Sequence, residues 1–382
     1  MIMISKANRL NSVKEYYFST KLREVRALAQ QGKPIINLGI GSPDLSPPEE
    51  VIRAMKDADV HSYQSYQGIP ELRQAVSEFY GSHYGVSLDP ERQVLPLMGS
   101  KEGILHISMA FLNPGDQVLL PDPGYPTYAS VTNLVEAIPV SYRLQEENNW
   151  WPDFEELERM DLEKVKLMWV NYPHMPTGSN GARPLFEKLI EFGSKHDILI
   201  VNDNPYSFIL NEQPMSILSV PGAKEVAIEL NSLSKTFNMA GWRVGMVVGN
   251  EEYLKVVLQV KSNMDSGMFY GIQMGAAKAM RLPRSWFEKT NAIYEQRRKI
   301  VWDICDMLGL KFDRDSSGLF VWARIPSGRE SEEFCDEILY DHDVFVTPGT
   351  VFGKQGAGYV RFSLCVPDEE IREVQKRLSK MS

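Results

Sequence analysis

The sequence predicts an α/β fold, with one large α/β unit and a smaller α+β appendage. Three observations point to it. At 382 residues the chain is long enough to bury a large core and to form a deep cleft. Short apolar runs that end on glycine, proline or a polar residue lead into stretches of helical period, the pattern of strand–turn–helix units. Beyond residue 308 the chain instead carries three apolar runs after one long amphipathic helix, which reads as a separate α+β unit.

Residues 12–31 have a helical period, with Val13, Tyr17, Leu22, Val25 and Leu28 near one face and Gly32 as the stop. The run 35–40 is a short strand entering the turn Gly39-Ile40-Gly41-Ser42-Pro43-Asp44, whose glycines either bring backbone N–H groups close to a ligand carboxylate or serve only the turn. A helix is expected over 48–57. Residues 94–98 read as a strand and Gly99-Ser100 as a tight turn. The helix opening at Lys101 then offers free N–H groups and a positive dipole end, suited to a phosphate. Asn113-Pro114-Gly115-Asp116 turns the chain into the strand 117–121, after which Tyr125 stands on a rigid turn where a ring can stack on a flat ligand.

Further strands are expected at 166–170 and 197–203, the second ending in Asp203 at a cleft. A helix over 285–308, with Trp286, Phe287, Ile293, Ile300, Val301, Ile304 and Leu308 on one side and Gly309 as its stop, bridges the two units. Strands at 317–323, 344–349 and 359–364 complete the appendage, and alternation puts Arg361 on the face opposite Val360 and Phe362.

Composition narrows the function classes. A net charge of −9 argues against nucleic acid as the main partner, because phosphate-backbone binding needs a basic field. Cys305, Cys335 and Cys365 are too few and too scattered for a disulfide framework or a zinc site, so no metal is expected and a reducing cytoplasm is the expected compartment. The start lacks the apolar core of a signal peptide, and no run of about eighteen apolar residues occurs, so no membrane association is expected. There are no repeats and no low-complexity segments.

The most informative stretch follows the apolar run 226–230. Ser232-Leu233-Ser234-Lys235 presents a lysine at a strand end, and a lysine that gives up its proton on desolvation serves as a nucleophile toward carbonyl groups. Arg243, in Gly241-Trp242-Arg243-Val244-Gly245, lies between glycines that allow close packing, and with Ser232 it suits a phosphate. Alone, each of these is more often a surface residue. In this order and spacing the stretch resembles the pyridoxal-phosphate (PLP) enzymes of the class I/II aminotransferase family, and the resemblance runs over nearly the whole chain. Residues 67–128 and 261–269 are most similar to the subgroup of LL-diaminopimelate and related aspartate- or alanine-type aminotransferases.

The resemblance implies a type I PLP-dependent transferase fold: a large domain with a mostly parallel central sheet, and a small domain built from both chain ends. The boundaries would be 1–43, 44–284 and 285–382. It implies that Lys235 bears PLP and, once freed, moves the α-proton. Asp203 would keep the pyridine nitrogen protonated and Tyr206 would bond the phenolic oxygen. Ser100, the Lys101 backbone, Ser232 and Arg243 would hold the phosphate, and Tyr125 would stack on the ring. Gly41 would lie beside the substrate α-carboxylate, which Arg361 would grip with its planar fork. Tyr63, before Gly68-Ile69-Pro70-Glu71-Leu72-Arg73, would reach the cofactor phosphate of a neighbouring subunit, implying a homodimer with shared sites. Tyr16, Tyr17 and the loop 263–269 would shape the side-chain pocket.

One position departs from the family. In Asn171-Tyr172-Pro173-His174-Met175-Pro176-Thr177-Gly178 a methionine stands where the family has an asparagine that bonds the phenolic oxygen and the substrate carboxylate. A thioether is at best a weak acceptor and cannot donate. Losing a hydrogen bond to a charged group costs about 1.5–3 kcal/mol. The implied function is amino-group transfer between an L-amino acid and a 2-oxo acid by a ping-pong mechanism. Alternatives on the same fold are a PLP-dependent lyase or decarboxylase and, given Met175, a non-enzymatic PLP-binding protein. A transcription regulator would need a DNA-binding module, for which the early start of the enzyme-like region leaves no room.

Overall fold

The computed structural model describes residues 4–381. The strands, in chain order, are β1 (Ile36–Asn37), β2 (Val94–Leu97), β3 (Gln117–Asp122), β4 (Ile138–Arg143), β5 (Val165–Val170), β6 (Leu199–Asp203) and β7 (Ala227–Ser232). They continue with β8 (Gly245–Gly249), β9 (Lys311–Phe312), β10 (Phe320–Arg324), β11 (Val344–Phe345), β12 (Thr347–Pro348) and β13 (Tyr359–Ser363). Seven of them form one sheet in the order β2-β8-β7-β6-β5-β3-β4. β3 to β7 run parallel, and β8 lies antiparallel to both β7 and β2.

The central strands are apolar on both faces because helices cover both faces. Every residue of β6 is buried, and β5 is buried except at Lys166. Along β5, Leu167 and Trp169 join one core, with Ile104, Ile107 and Tyr128, while Met168 and Val170 join the other, with Leu189 and Ile200. The fold is thus α/β with a mostly parallel central sheet. The parallel strands β5, β6 and β7 bring Val170, Asp203 and Ser232 to one edge, and open α/β sheets place their ligands at such carboxyl ends.

A four-stranded antiparallel sheet, β12-β13-β10-β9, forms the smaller unit, and β1 pairs in parallel with β11 beside it. Arg297, in the long helix Arg284–Met307, ties these parts together. It donates twice to Asp44 (2.6 and 2.8 Å), once to Asp368 (3.1 Å) and once to the Leu364 carbonyl (3.1 Å). Its guanidinium is buried, whereas both carboxylates keep some contact with water. Arg297→Met is therefore expected to cost about 2–3 kcal/mol, the value of hydrogen bonds to charged groups. A thermal midpoint unchanged from wild type would refute this.

Three of the boundaries that differ from expectation do so for a tertiary reason. The first helix is Tyr17–Gln30 and leaves out residues 12–16. Tyr16 is extended there (φ −58, ψ 128), and its ring is held against the core, where the Lys101 ammonium lies over it. The strand expected from 317 begins at Phe320, because Ser317 and Gly318 donate their N–H groups to Gly178 and Ile209 of the larger unit. The run 344–349 divides, its first pair serving β1 and its second serving β13. Among the described residues no helix is long and apolar enough to cross a membrane, and the three cysteines are buried free thiols.

Candidate active site

A cavity of about 560 Å³ opens where the carboxyl ends of the central strands meet the smaller unit. Gly41, Ser100, Lys101, Tyr125, Met175, Asp203, Tyr206, Ser232, Lys235, Arg243 and Arg361 all line it. These residues come from eight separate stretches of the chain. Tyr63 does not line it and is 89% exposed. Of the residues expected to shape a side-chain pocket, Tyr16 lines the cavity. Tyr17 faces a second cavity behind its helix, and the loop 263–269 contributes nothing to the lining.

Lys235 belongs to the short helix Leu233–Thr236 directly after β7. Its Nζ donates to the Gly41 carbonyl. The residue stays accessible through the cavity, yet its amine is enclosed enough that burial lowers its pKa. The thiol of Cys365 opposes that shift, and the positive charges of Arg361 and Arg243 add to it. No carboxylate forms an ion pair with it among the described residues, so no such partner works against the shift toward the neutral, nucleophilic form.

Asp203 ends β6 with one carboxylate oxygen accepting from the Tyr128 hydroxyl at 2.8 Å. The other, Oδ1, is buried without a partner. Burial pushes its pKa up to about 7, against the Tyr128 hydrogen bond and with help from the charge of Glu229. Tyr128 itself lies stacked on Trp169, 4.9 Å between ring centres, which fixes the phenol under the carboxylate. Asn171 braces the same corner: it donates to the Asp203 carbonyl and accepts from the Met175 N–H at 2.8 Å.

The opposite corner is built for an anion. Ser100 opens the twelve-residue helix Ser100–Phe111, whose N-terminal N–H groups point out of the helix. Gly99 precedes it at φ +87, and a Cβ there would stand 2.2 Å from Arg243 Nη2, so only glycine lets the guanidinium reach this turn. Ser232 accepts from the Ser234 N–H at 3.0 Å, which orients both hydroxyls. The Lys101 ammonium turns aside, 4.1 Å above the Tyr16 ring.

Arg361 enters from β13 and is only 4% exposed. Its guanidinium lies 3.9 Å from the Phe320 ring centre and 4.6 Å from that of Phe352. Nη2 donates to the Gly39 carbonyl at 2.7 Å; among the described residues Nη1 finds only the Met175 sulfur at 3.3 Å, and Nε has no partner. Burial pulls its pKa down to about 10, still charged at neutral pH. A buried cation with so few acceptors has donors to offer a carboxylate. Sequence reasoning missed Tyr128, Phe320, Phe352 and the bracing role of Asn171. Aromatic residues next to strand ends were the available signal, but they are as common in plain cores.

Comparison with known proteins gives a consistent result. A profile of the family described as aminotransferase class I and II matches residues 33–378. The LL-diaminopimelate aminotransferase of Aquifex aeolicus is 39% identical, covering 99% of this chain and 100% of that protein. That of Natranaerobius thermophilus is 40% identical, covering 97% and 98%. Among solved structures, apo-BacF from Bacillus subtilis superposes with a TM-score of 0.95 at 35% identity, covering 99% of this chain and 98% of that one. A single mutant of Thermus thermophilus aspartate aminotransferase gives 0.92 at 27% identity, covering 100% of both.

Proposed function

Since the chain belongs to the class I and II aminotransferase family, whose members work with PLP, we infer that this cavity is where it moves an amino group between an L-amino acid and a 2-oxo acid. The observation that carries the reading is that Lys235, Asp203 and Arg361 line one cavity from three separate elements. The residues present fit the cofactor. The orphaned Asp203 Oδ1 is an acceptor for a protonated pyridine nitrogen, and the Ser100 helix terminus with Arg243 and Ser232 forms a cradle for the phosphate. Tyr125 offers a ring face and Tyr206 a hydroxyl.

When bound, PLP supplies a carbonyl for amines and a ring that spreads the electron pair left at the substrate Cα. The chain's residues do the rest. Arg361 fixes the α-carboxylate beside Gly41 and so orients Cα toward Lys235. Lys235 Nζ, which burial pushes toward its neutral form, would take the α-proton as base and then, as acid, deliver it to the cofactor carbon rather than back to Cα. Asp203 holds a proton on the ring nitrogen by offering it a negative partner. The rings of Phe320, Phe352 and Tyr16 exclude water from the place where the proton moves.

The same reading assigns a homodimer with shared sites. Tyr63, Tyr66, Met264 and Phe269 are exposed apolar side chains on two segments joined by the Lys261 Nζ bond to the Tyr66 carbonyl (2.8 Å), and exposed apolar clusters mark interfaces. Tyr63 would reach the partner's phosphate cradle from there. The domains divide at 43/44 and 284/285, and the buried free thiols suit a cytoplasmic protein.

The test is a half-reaction screen on the PLP-loaded protein with glutamate, aspartate, alanine and LL-diaminopimelate, the last because relatives carry its name. Conversion of the visible cofactor band to the amine form by any of them supports amino-group transfer. A band that no amino acid converts overturns it in favour of a lyase or a cofactor-binding protein. Met175→Asn, which restores a donor beside Arg361, is expected to raise kcat/KM about tenfold and to leave PLP binding unchanged. An unchanged kcat/KM would show that Met175 is no handicap.

A further inference from the structure

The turn after β3 and the loop after β12 are fastened to each other at the rim of the cavity. Asp122, the last residue of β3, is buried, and its carboxylate accepts from the Gln355 N–H at 2.9 Å and the Lys354 N–H at 3.2 Å. Beside it the Gly124 N–H donates to the Phe352 carbonyl at 2.7 Å. The contact is close: a Cβ on Gly353 would stand 2.1 Å from Asp122 Oδ1, and its φ of +133 favours glycine.

The two fastened segments carry different walls of the site. Tyr125, shortly after Asp122, lines the cofactor side. Phe352, directly before Gly353, lines the substrate side with its ring against the Arg361 guanidinium. Asp122, Gly124, Lys354 and Gln355, which make these bonds, do not themselves line the cavity. A buried carboxylate is an expensive way to cap a surface loop, and burial does raise its proton affinity against the two N–H groups. Its position between the two walls gives it a different use.

We propose that Asp122 is a positioning residue that locks the Phe352 wall to the Tyr125 wall and thereby sets how firmly Arg361 holds the substrate α-carboxylate. The inference rests on the aminotransferase reading above. With the clasp made, Phe352 and Phe320 sandwich the guanidinium and keep water from it, so a carboxylate meets it in a medium of low dielectric. With the clasp broken, the loop 349–356 drifts, water solvates the guanidinium, and the carboxylate is held less tightly in ground and transition states alike.

The experiment compares the PLP-loaded wild type with Asp122→Asn, Asp122→Ala, Gly353→Ala and the double variant Asp122→Ala/Gly353→Ala. Asp122→Ala is expected to raise KM for both the amino acid and the oxo acid about tenfold with kcat within about twofold, the signature of lost uniform binding. Asp122→Asn recovers part of this, because its amide oxygen still accepts from Gln355. Gly353→Ala pushes the carboxylate away from the other side, so the double variant is no worse than the worse single one. PLP affinity, read by fluorescence quenching, stays unchanged throughout. Independent, multiplying KM effects would overturn the proposal. So would a kcat or PLP affinity that falls as KM rises, or a lowered thermal midpoint at unchanged KM. Should Asp122→Ala fail to fold, Asp122→Asn and Gly353→Ala decide the matter by the same criteria. A wild type that converts no amino acid would remove the underlying reading, a result distinct from any of these.

Discussion

Lys235→Ala is expected to slow amino-group transfer by about four orders of magnitude while the protein still folds and still takes up PLP. On the function proposed above the side chain has two jobs, as the nucleophile toward the cofactor carbonyl and as the carrier of the α-proton, and losing a positioned acid–base group alone costs about 10²- to 10⁴-fold. Among the described residues its amine hydrogen-bonds only the Gly41 carbonyl, at the cavity, so truncation leaves little else unpaired. The phosphate cradle of Ser100, Ser232 and Arg243 does not touch it. Single-turnover kinetics with the best amino acid would measure the loss, and circular dichroism would report the fold. A variant within tenfold of wild type would place the proton transfer elsewhere.

Asp203→Asn is expected to cost about 10²- to 10³-fold in kcat, comparable to removing one preorganised electrostatic contact. The amide keeps the Tyr128 hydrogen bond through its oxygen and keeps the shape, but it cannot hold a proton on a neighbouring nitrogen. A second readout is pH. In the cofactor-free protein the Asp203 pKa is raised to about 7 by burial, so between the ordinary carboxylate range and about 7 the folded state holds a proton that the unfolded state has released. Stability contributed by this group is therefore full below about pH 4 and is lost as pH rises to about 7, with no further change above. Asp203→Asn should flatten that part of the thermal-midpoint profile. A profile identical to wild type would assign the slope to another group, such as the buried Glu229.

Asp203 is legible in the sequence because it ends an apolar run and a buried parallel strand delivers its last residue to the cleft, and Lys235 because it follows closely on such a run, in the short helix after β7. Arg361 is legible as to face, since Val360 and Phe362 alternate with it, but not as to environment: the rings around it come from residues 320 and 352, and no local pattern pairs them. Tyr128 meets Asp203 only because β3 and β6 stand one strand apart in the sheet, which is a fact of topology. β4 escapes notice because Ile-Pro-Val-Ser-Tyr-Arg contains a proline, which the outermost strand of a sheet tolerates. β8 escapes because Gly-Met-Val-Val-Gly begins and ends on a residue that disfavours strands. The resemblance supplies roles that geometry alone would leave unnamed, Tyr63 above all.

The pairing of β1 with β11 has a consequence for how the chain comes into being. Ile36 and Asn37 find their partners at Val344 and Phe345, whereas the seven-stranded sheet is complete within residues 94–249. A chain made from its amino end thus has every strand of the large sheet available while β1 still waits for its neighbour, and domains fold as units during synthesis. The strand that ends in Asp203 and the one that precedes Lys235 are on hand well before β13, which carries Arg361, so a nascent chain holds the elements of one wall of the cavity before those of the other.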